Sequence, residues 1–149
     1  MRRLPVSLLT GFLVLAALVI PAVPAAADVQ RDAIYQINQI RADHGVAPLR
    51  PSPSLHRSAT RYARQMVRRR YFGHAARIAM SSGFGRRGET LAMHSGWTPL
   101  PDAAVSGWMG SEHHRELLLS SEFRWVGLGI ARGDVGSGPV TLWVAHLGG

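Results

Sequence analysis

Tyr71-Phe72-Gly73-His74, Gly88-Glu89-Thr90-Leu91 and Trp108-Met109-Gly110-Ser111-Glu112-His113-His114-Arg115 are the pieces on which the reading of this 149-residue chain turns. They punctuate the stretch Tyr71–His146. Each sets a side chain that can exchange a proton or ligate a metal beside a glycine, an aromatic ring or a helix start. Brought to one cleft they would supply two histidines, one glutamate and one serine. His74 and His114 are 40 residues apart, so such a cleft exists only if the chain folds back on itself.

Working outward, Ser52 or Ser54 can cap a helix running to about Arg70. Leu55, Ala59, Tyr62 and Met66 form one apolar stripe along it. Arg57, Arg61, Arg64 and Arg68 repeat the spacing two residues later, about 200° around the axis, and so lie opposite the core face. That strip reads first as a solvated face and second as a surface for an anionic partner. Gly73 predicts a turn that swings His74 off the helix axis. Arg77–Phe84 has room for one or two helical turns, Arg86-Arg87-Gly88 reads as a loop, and Thr90–Met93 fits either a short strand or a helical turn.

Upstream, Ile34, Ile37 and Ile40 predict a helix over Asp28–His44, stopped by Gly45, with Pro48 holding Leu49 extended. Downstream, Asp102 is placed to cap a helix over Ala103–Gly110 with Val105 and Trp108 inward. Ser111 is placed to cap a second helix over Glu112–Leu119. Arg124–Ala131 reads as a strand in which Gly127 and Gly129 leave one face bare enough for close approach. Gly133–Gly138 is a hairpin loop. Pro139–Leu147 returns as a strand, with Leu142, Val144 and His146 alternating against Trp143 and Ala145.

The length is that of one domain, able to bury a core without staples. There is no cysteine, which excludes disulfides, thiolate metal sites and thiol nucleophiles. Met1–Ala27 reads as a secretory signal peptide: Arg2 and Arg3, the apolar run Leu8–Ile20, then Ala25-Ala26-Ala27 before Asp28. Cleavage is favoured over an uncleaved anchor because the run is short of the roughly 20 residues that a bilayer needs. Residues 28–149 then form a single secreted domain. Net charge is +8, and every basic residue is arginine. Such an excess attracts polyanions: a cell envelope, anionic lipid or nucleic acid.

His74, Glu89 and His114 form a set that suits a borderline metal such as zinc, and equally suits general acid–base work near neutral pH. No His-Glu-x-x-His spacing is present, so hydrogen-bonded structural histidines are favoured on chemistry alone. Ser111 and His114 stand three apart on one helix and could form a nucleophile pair oriented by Glu89. A helix cap is the simpler role for Ser111.

The ordered set of pieces resembles the CAP superfamily, the cysteine-rich secretory, antigen 5 and pathogenesis-related proteins, and most the short bacterial secreted members. The matching residues are Ile37-Asn38-Gln39-Ile40-Arg41 with Gly45 and Pro48-Leu49; Leu55, Ala59 and Met66; Tyr71–His74; Gly88-Glu89; Trp108–Ser111 with His114-Arg115; Phe123 with Val126–Gly129; and Trp143-Val144. The resemblance implies an α+β fold, a three-layer α-β-α sandwich on a small antiparallel sheet, with a cleft lined by His74, Glu89 and His114. It implies His74 and His114 as ligands of zinc or another divalent cation, with Glu89 in support. It also implies lipid, sterol or anionic envelope partners outside the cell, a monomer, and no nucleic acid. No common enzymatic activity follows, so a non-enzymatic binding role stands first. A metal- or histidine-dependent hydrolase using His74, Glu89, Ser111 and His114 stands second. Three departures matter: Thr90 in place of asparagine, Glu112-His113 in place of Pro-Gly, and the absence of cysteine.

Overall fold

A computed structural model describes residues 26–79, 83–136 and 138–149. The signal-peptide reading lies outside these, apart from the backbone of Ala26 and Ala27. Among the described residues the order is α1 (Ala26–Asp43), β1 (Arg50–Pro51), α2 (Pro53–Arg69), β2 (Arg87–Ser95), α3 (Pro101–Gly110), α4 (Glu112–Leu119), β3 (Trp125–Asp134) and β4 (Pro139–Gly148). One sheet runs β1-β3-β4-β2. The three long strands are antiparallel, as expected. The two-residue β1 adds a parallel edge, Arg50 beside Trp125.

β4 is the spine because its apolar run can be covered on both faces. Leu142 and Val144 pack under Ala59, Tyr62, Ala63 and Met66 of α2. Trp143, Ala145 and Leu147 pack with Ile37, Val105, Trp108 and Leu118 of the other three helices. The result is the expected α-β-α sandwich. The Leu55, Ala59, Tyr62, Met66 stripe is buried and the arginine strip is exposed, as the spacing requires.

α2 lies against β3 because three glycines of that strand have no side chain. A Cβ on Gly127 would run into the backbone of Leu55 and His56, one on Gly129 into that of Ala59 and Thr60, and one on Gly133 into Val67. This is the close approach that Gly127 and Gly129 predict.

Several local expectations change. The chain leaves α2 at Arg70, which takes a left-handed conformation (φ 52°) with its N–H on the Met66 and Val67 carbonyls. The turn therefore precedes Gly73. Thr90–Met93 belongs to β2, and Arg87 and Gly88 already lie in that strand. Residues 77–79 and 83–84 are not helical; 80–82 lie outside the described residues. α3 begins at Pro101, whose fixed φ suits the first helical position, so Asp102 lies inside the first turn. Its carboxylate accepts from the Gln36 amide instead of capping. Ser111 occupies the N-cap position of α4, but its hydroxyl makes no capping bond; its carbonyl accepts the Arg115 N–H.

Arg41 at the end of α1 is fully buried. Its guanidinium donates to the carbonyls of Ala47, Leu118, Ser120 and Phe123. Burial, then the charge of Arg124, lower its pKa from the ordinary value. It ties the end of α1 to the turn between α4 and β3.

Candidate functional site

Glu89 is the centre of the site. It lies on β2 in register with His146 of β4, and both side chains face α2. Glu89 is buried, and both its oxygens are occupied. Oε1 accepts from His74 Nδ1 at 3.0 Å and from the Ala75 N–H at 2.9 Å. Oε2 accepts from His146 Nε2 at 3.0 Å. Burial works against its ionisation. The bonds from His146, Ala75 and His74 outweigh burial and hold the carboxyl below its ordinary range. A carboxylate only accepts, so His74 presents Nδ1–H to it and leaves Nε2 free of it.

That free nitrogen points at His114. The two Nε2 atoms stand 3.3 Å apart and the ring centroids 5.4 Å, so α4 and the loop after α2 do bring the two distant histidines together. Burial first, then the neighbouring His74 and His113, lower the pKa of His114, which favours its neutral form. His113 is exposed, its ring 6.1 Å from that of His114, and Glu112 is exposed in the first turn of α4. The Glu112-His113 departure thus adds a third imidazole beside the pair and a solvated helix start. Thr90 is buried with no partner for its hydroxyl among the described residues.

The fourth sequence candidate, Ser111, makes no hydrogen bond with His114. The serine that meets a histidine is Ser58: its hydroxyl lies 2.7 Å from His146 Nδ1 and also donates to the Leu55 carbonyl. Ser58 and His146 are both buried, so a polar line runs Ser58–His146–Glu89–His74–His114 through the molecule. Sequence reasoning missed its inner half. The signal was there: Ser58 interrupts the apolar face of α2, and His146 interrupts that of β4.

Beside this line a cleft of about 380 Å³ opens between α2 and the loop after it, floored by Tyr62, His146 and His74. The Tyr62 hydroxyl donates to the Gly73 carbonyl and pairs with the Tyr71 hydroxyl at 2.7 Å. Burial, the Tyr71 bond and the charge of Glu89 push its pKa up, so it stays a neutral phenol. His74 also walls a second hollow of about 280 Å³ that reaches Glu89 and His113.

Comparison with known proteins agrees with this architecture. The family profile described as "CAP: Cysteine-rich secretory protein family" matches residues 34–147. The chain is 32% identical over 104 residues to the uncharacterized membrane protein YlbC of Bacillus subtilis (strain 168), an alignment covering 64% of this chain and 29% of that protein. It is 28% identical over 109 residues to the uncharacterized B. subtilis protein YkwD, covering 67% of this chain and 41% of that one. It thus spans well under half of either relative. An outer surface protein from Borrelia burgdorferi has the same fold (TM-score 0.68, 17% identity, 84% of this chain and 95% of that one). So does an extracellular protein containing a SCP domain from Bacillus anthracis (TM-score 0.64, 23% identity, 82% and 40%). With its profile matched from Ile34 to Leu147 and its sandwich shared with these structures, the chain belongs to the cysteine-rich secretory protein (CAP) family.

Proposed function

We propose that this chain is a non-enzymatic binding domain acting outside the cell or at its envelope, and that His74 and His114 hold a divalent cation, zinc foremost. One observation carries the reading: two Nε2 atoms 3.3 Å apart, with the Nδ1 of one locked by Glu89. Two nitrogen ligands of a tetrahedral zinc, each at about 2.0–2.1 Å, stand roughly 3.3 Å from each other. A carboxylate behind a ligating imidazole is the usual orienting partner. Among the described residues no third histidine or carboxylate completes a cluster, so the remaining positions would fall to water or a ligand. Bound there, the cation would polarise an oxygen-bearing ligand.

Nothing favours the hydrolase reading. Both oxygens of Glu89 are occupied, which makes it an orienting group rather than a free base, and Ser111 is not paired with His114. The leader-like residues 1–27 and the family support an extracellular place, and no described helix is long and apolar enough to cross a membrane. The exposed arginines of α2 support an anionic envelope partner.

The test is calorimetric titration of zinc into the protein and into His74→Ala and His114→Ala. Each substitution should abolish the heat of binding. Affinity should also fall at low pH, once protons compete for His114, whose pKa lies below the ordinary histidine value. Unchanged heats in the two variants would remove the cation.

A further inference from the structure

The excess of positive charge from Asp28 onward comes from one segment. Residues 44–88 hold ten arginines and no acidic residue, whereas the rest of the chain from Asp28 holds five arginines and all nine acidic residues. Apart from Arg50 in β1 and Arg87 at the start of β2, these arginines lie on α2 and the loop that follows it, and they are not spread evenly over solvent. Arg61 and Arg69, two turns apart with Gln65 between them, form one wall of the 380 Å³ cleft, and Arg77 stands in the loop opposite. Among the described residues none of the three meets a carboxylate or donates a side-chain hydrogen bond. The one carboxylate near the cleft, Glu89, is enclosed by three donors and is not part of the lining. The rest of the lining supplies further polar groups: the Tyr71 hydroxyl and the His74 and His146 rings.

We propose that this cleft is a binding site for a phosphorylated small molecule, its phosphate held by Arg61, Arg69 and Arg77 and its hydroxyl-bearing body by Gln65 and Tyr71. Guanidinium groups match phosphate oxygens in pairs, and a concave site with low-dielectric walls strengthens their field. Cavities that take small molecules begin at roughly 300 Å³, so this one suits a glycerol phosphate or a sugar phosphate rather than a longer chain. The same chemistry arises from a soluble phosphate ester or from the headgroup of an anionic lipid. The site shares only His74 with the cation pair, and its charged groups lie on α2 and the loop and not on the imidazoles.

The experiment uses the protein with chelator present, so that loss of cation binding cannot mimic loss of this site. Glycerol 3-phosphate is titrated while the His74 imidazole signals are followed by NMR. Two double variants are compared, Arg69→Ala/Arg77→Ala in the cleft and Arg57→Ala/Arg68→Ala on the open face of the same helix. They remove equal charge. Saturable binding that weakens by about tenfold or more in the cleft pair and by about twofold or less in the face pair is expected. No saturable binding to the unsubstituted protein, or an equal loss in both doubles, would overturn the site. Vesicles containing phosphatidylglycerol then identify the source. Vesicle binding that glycerol 3-phosphate displaces, and that fails only in the cleft pair, supports a lipid headgroup. Vesicle binding lost equally in both pairs, beside selective loss of glycerol 3-phosphate, supports a soluble ester.

Discussion

Glu89 shows what one side chain can organise. Its carboxylate receives three donors and thereby fixes a proton on one ring nitrogen of each of two histidines, one in the loop after α2 and one on β4. Its folded pKa is depressed, so the stability it contributes is present above its unfolded value, about 4.5, and disappears as pH falls through the lower folded value. Glu89→Gln should therefore have a lower urea midpoint than the natural protein at pH 7, and the gap should narrow steadily below pH 4.5. A gap of constant size would mean that the charge is not what matters. Arg41 is the second such residue. Arg41→Met keeps much of the volume but leaves four carbonyls without their donor, at a cost of about 3 kcal/mol or more in unfolding free energy. A loss near zero by chemical denaturation would show the clamp to be decorative. Glu89 was legible as a candidate in the sequence, because a carboxylate beside a glycine needs a use. Arg41 was visible only as part of a family pattern, because nothing local says that an arginine at a helix end turns inward.

At the scale of elements, the decisive contact is α2 on β3. Three glycines of one strand let a helix backbone settle where side chains would otherwise stand. Overpacking costs about 1–3 kcal/mol when side chains can shift, and more when the obstacle is backbone, as it is above Gly129. Gly129→Ala should thus unfold the protein at about 37 °C or lower its thermal midpoint sharply. Gly107→Ala, where the added carbon would meet only the Ala92 methyl group at ordinary contact distance, should be tolerated. Equal midpoints for the two variants would refute the argument. The four helices and the strands β3 and β4 were readable from the sequence, with ends that moved by a few residues, whereas at β2 the residues Thr90–Met93 fitted a short strand and a helical turn equally. The capping bonds expected of Asp102 and Ser111 do not form: Pro101 opens α3 and the Gln36 amide takes the Asp102 carboxylate, while Ser111 holds the N-cap position of α4 without a side-chain bond.

Taken as a whole, the molecule is two apolar layers sharing one strand. β4 contributes Leu142 and Val144 to one and Trp143, Ala145 and Leu147 to the other. Neither layer can come apart without exposing that strand, so unfolding should be a single transition. Tryptophan fluorescence, to which the buried Trp108–Trp143 pair contributes, and far-ultraviolet circular dichroism should give coincident curves. A reductant should not move them, since there is no disulfide to break. Two separated transitions would show the layers to be independent. Fold class, family and the polar face of α2 could be read from residue order, because periodicity and motif spacing are local properties of a chain. The Ser58–His146 pair behind Glu89 and the arginine-walled cleft could not, and the join between His74 and His114 was expected only through the family resemblance. They are contacts between segments far apart in the chain, and only the packing of α2 and α4 about a common sheet sets which of many chemically similar side chains meet.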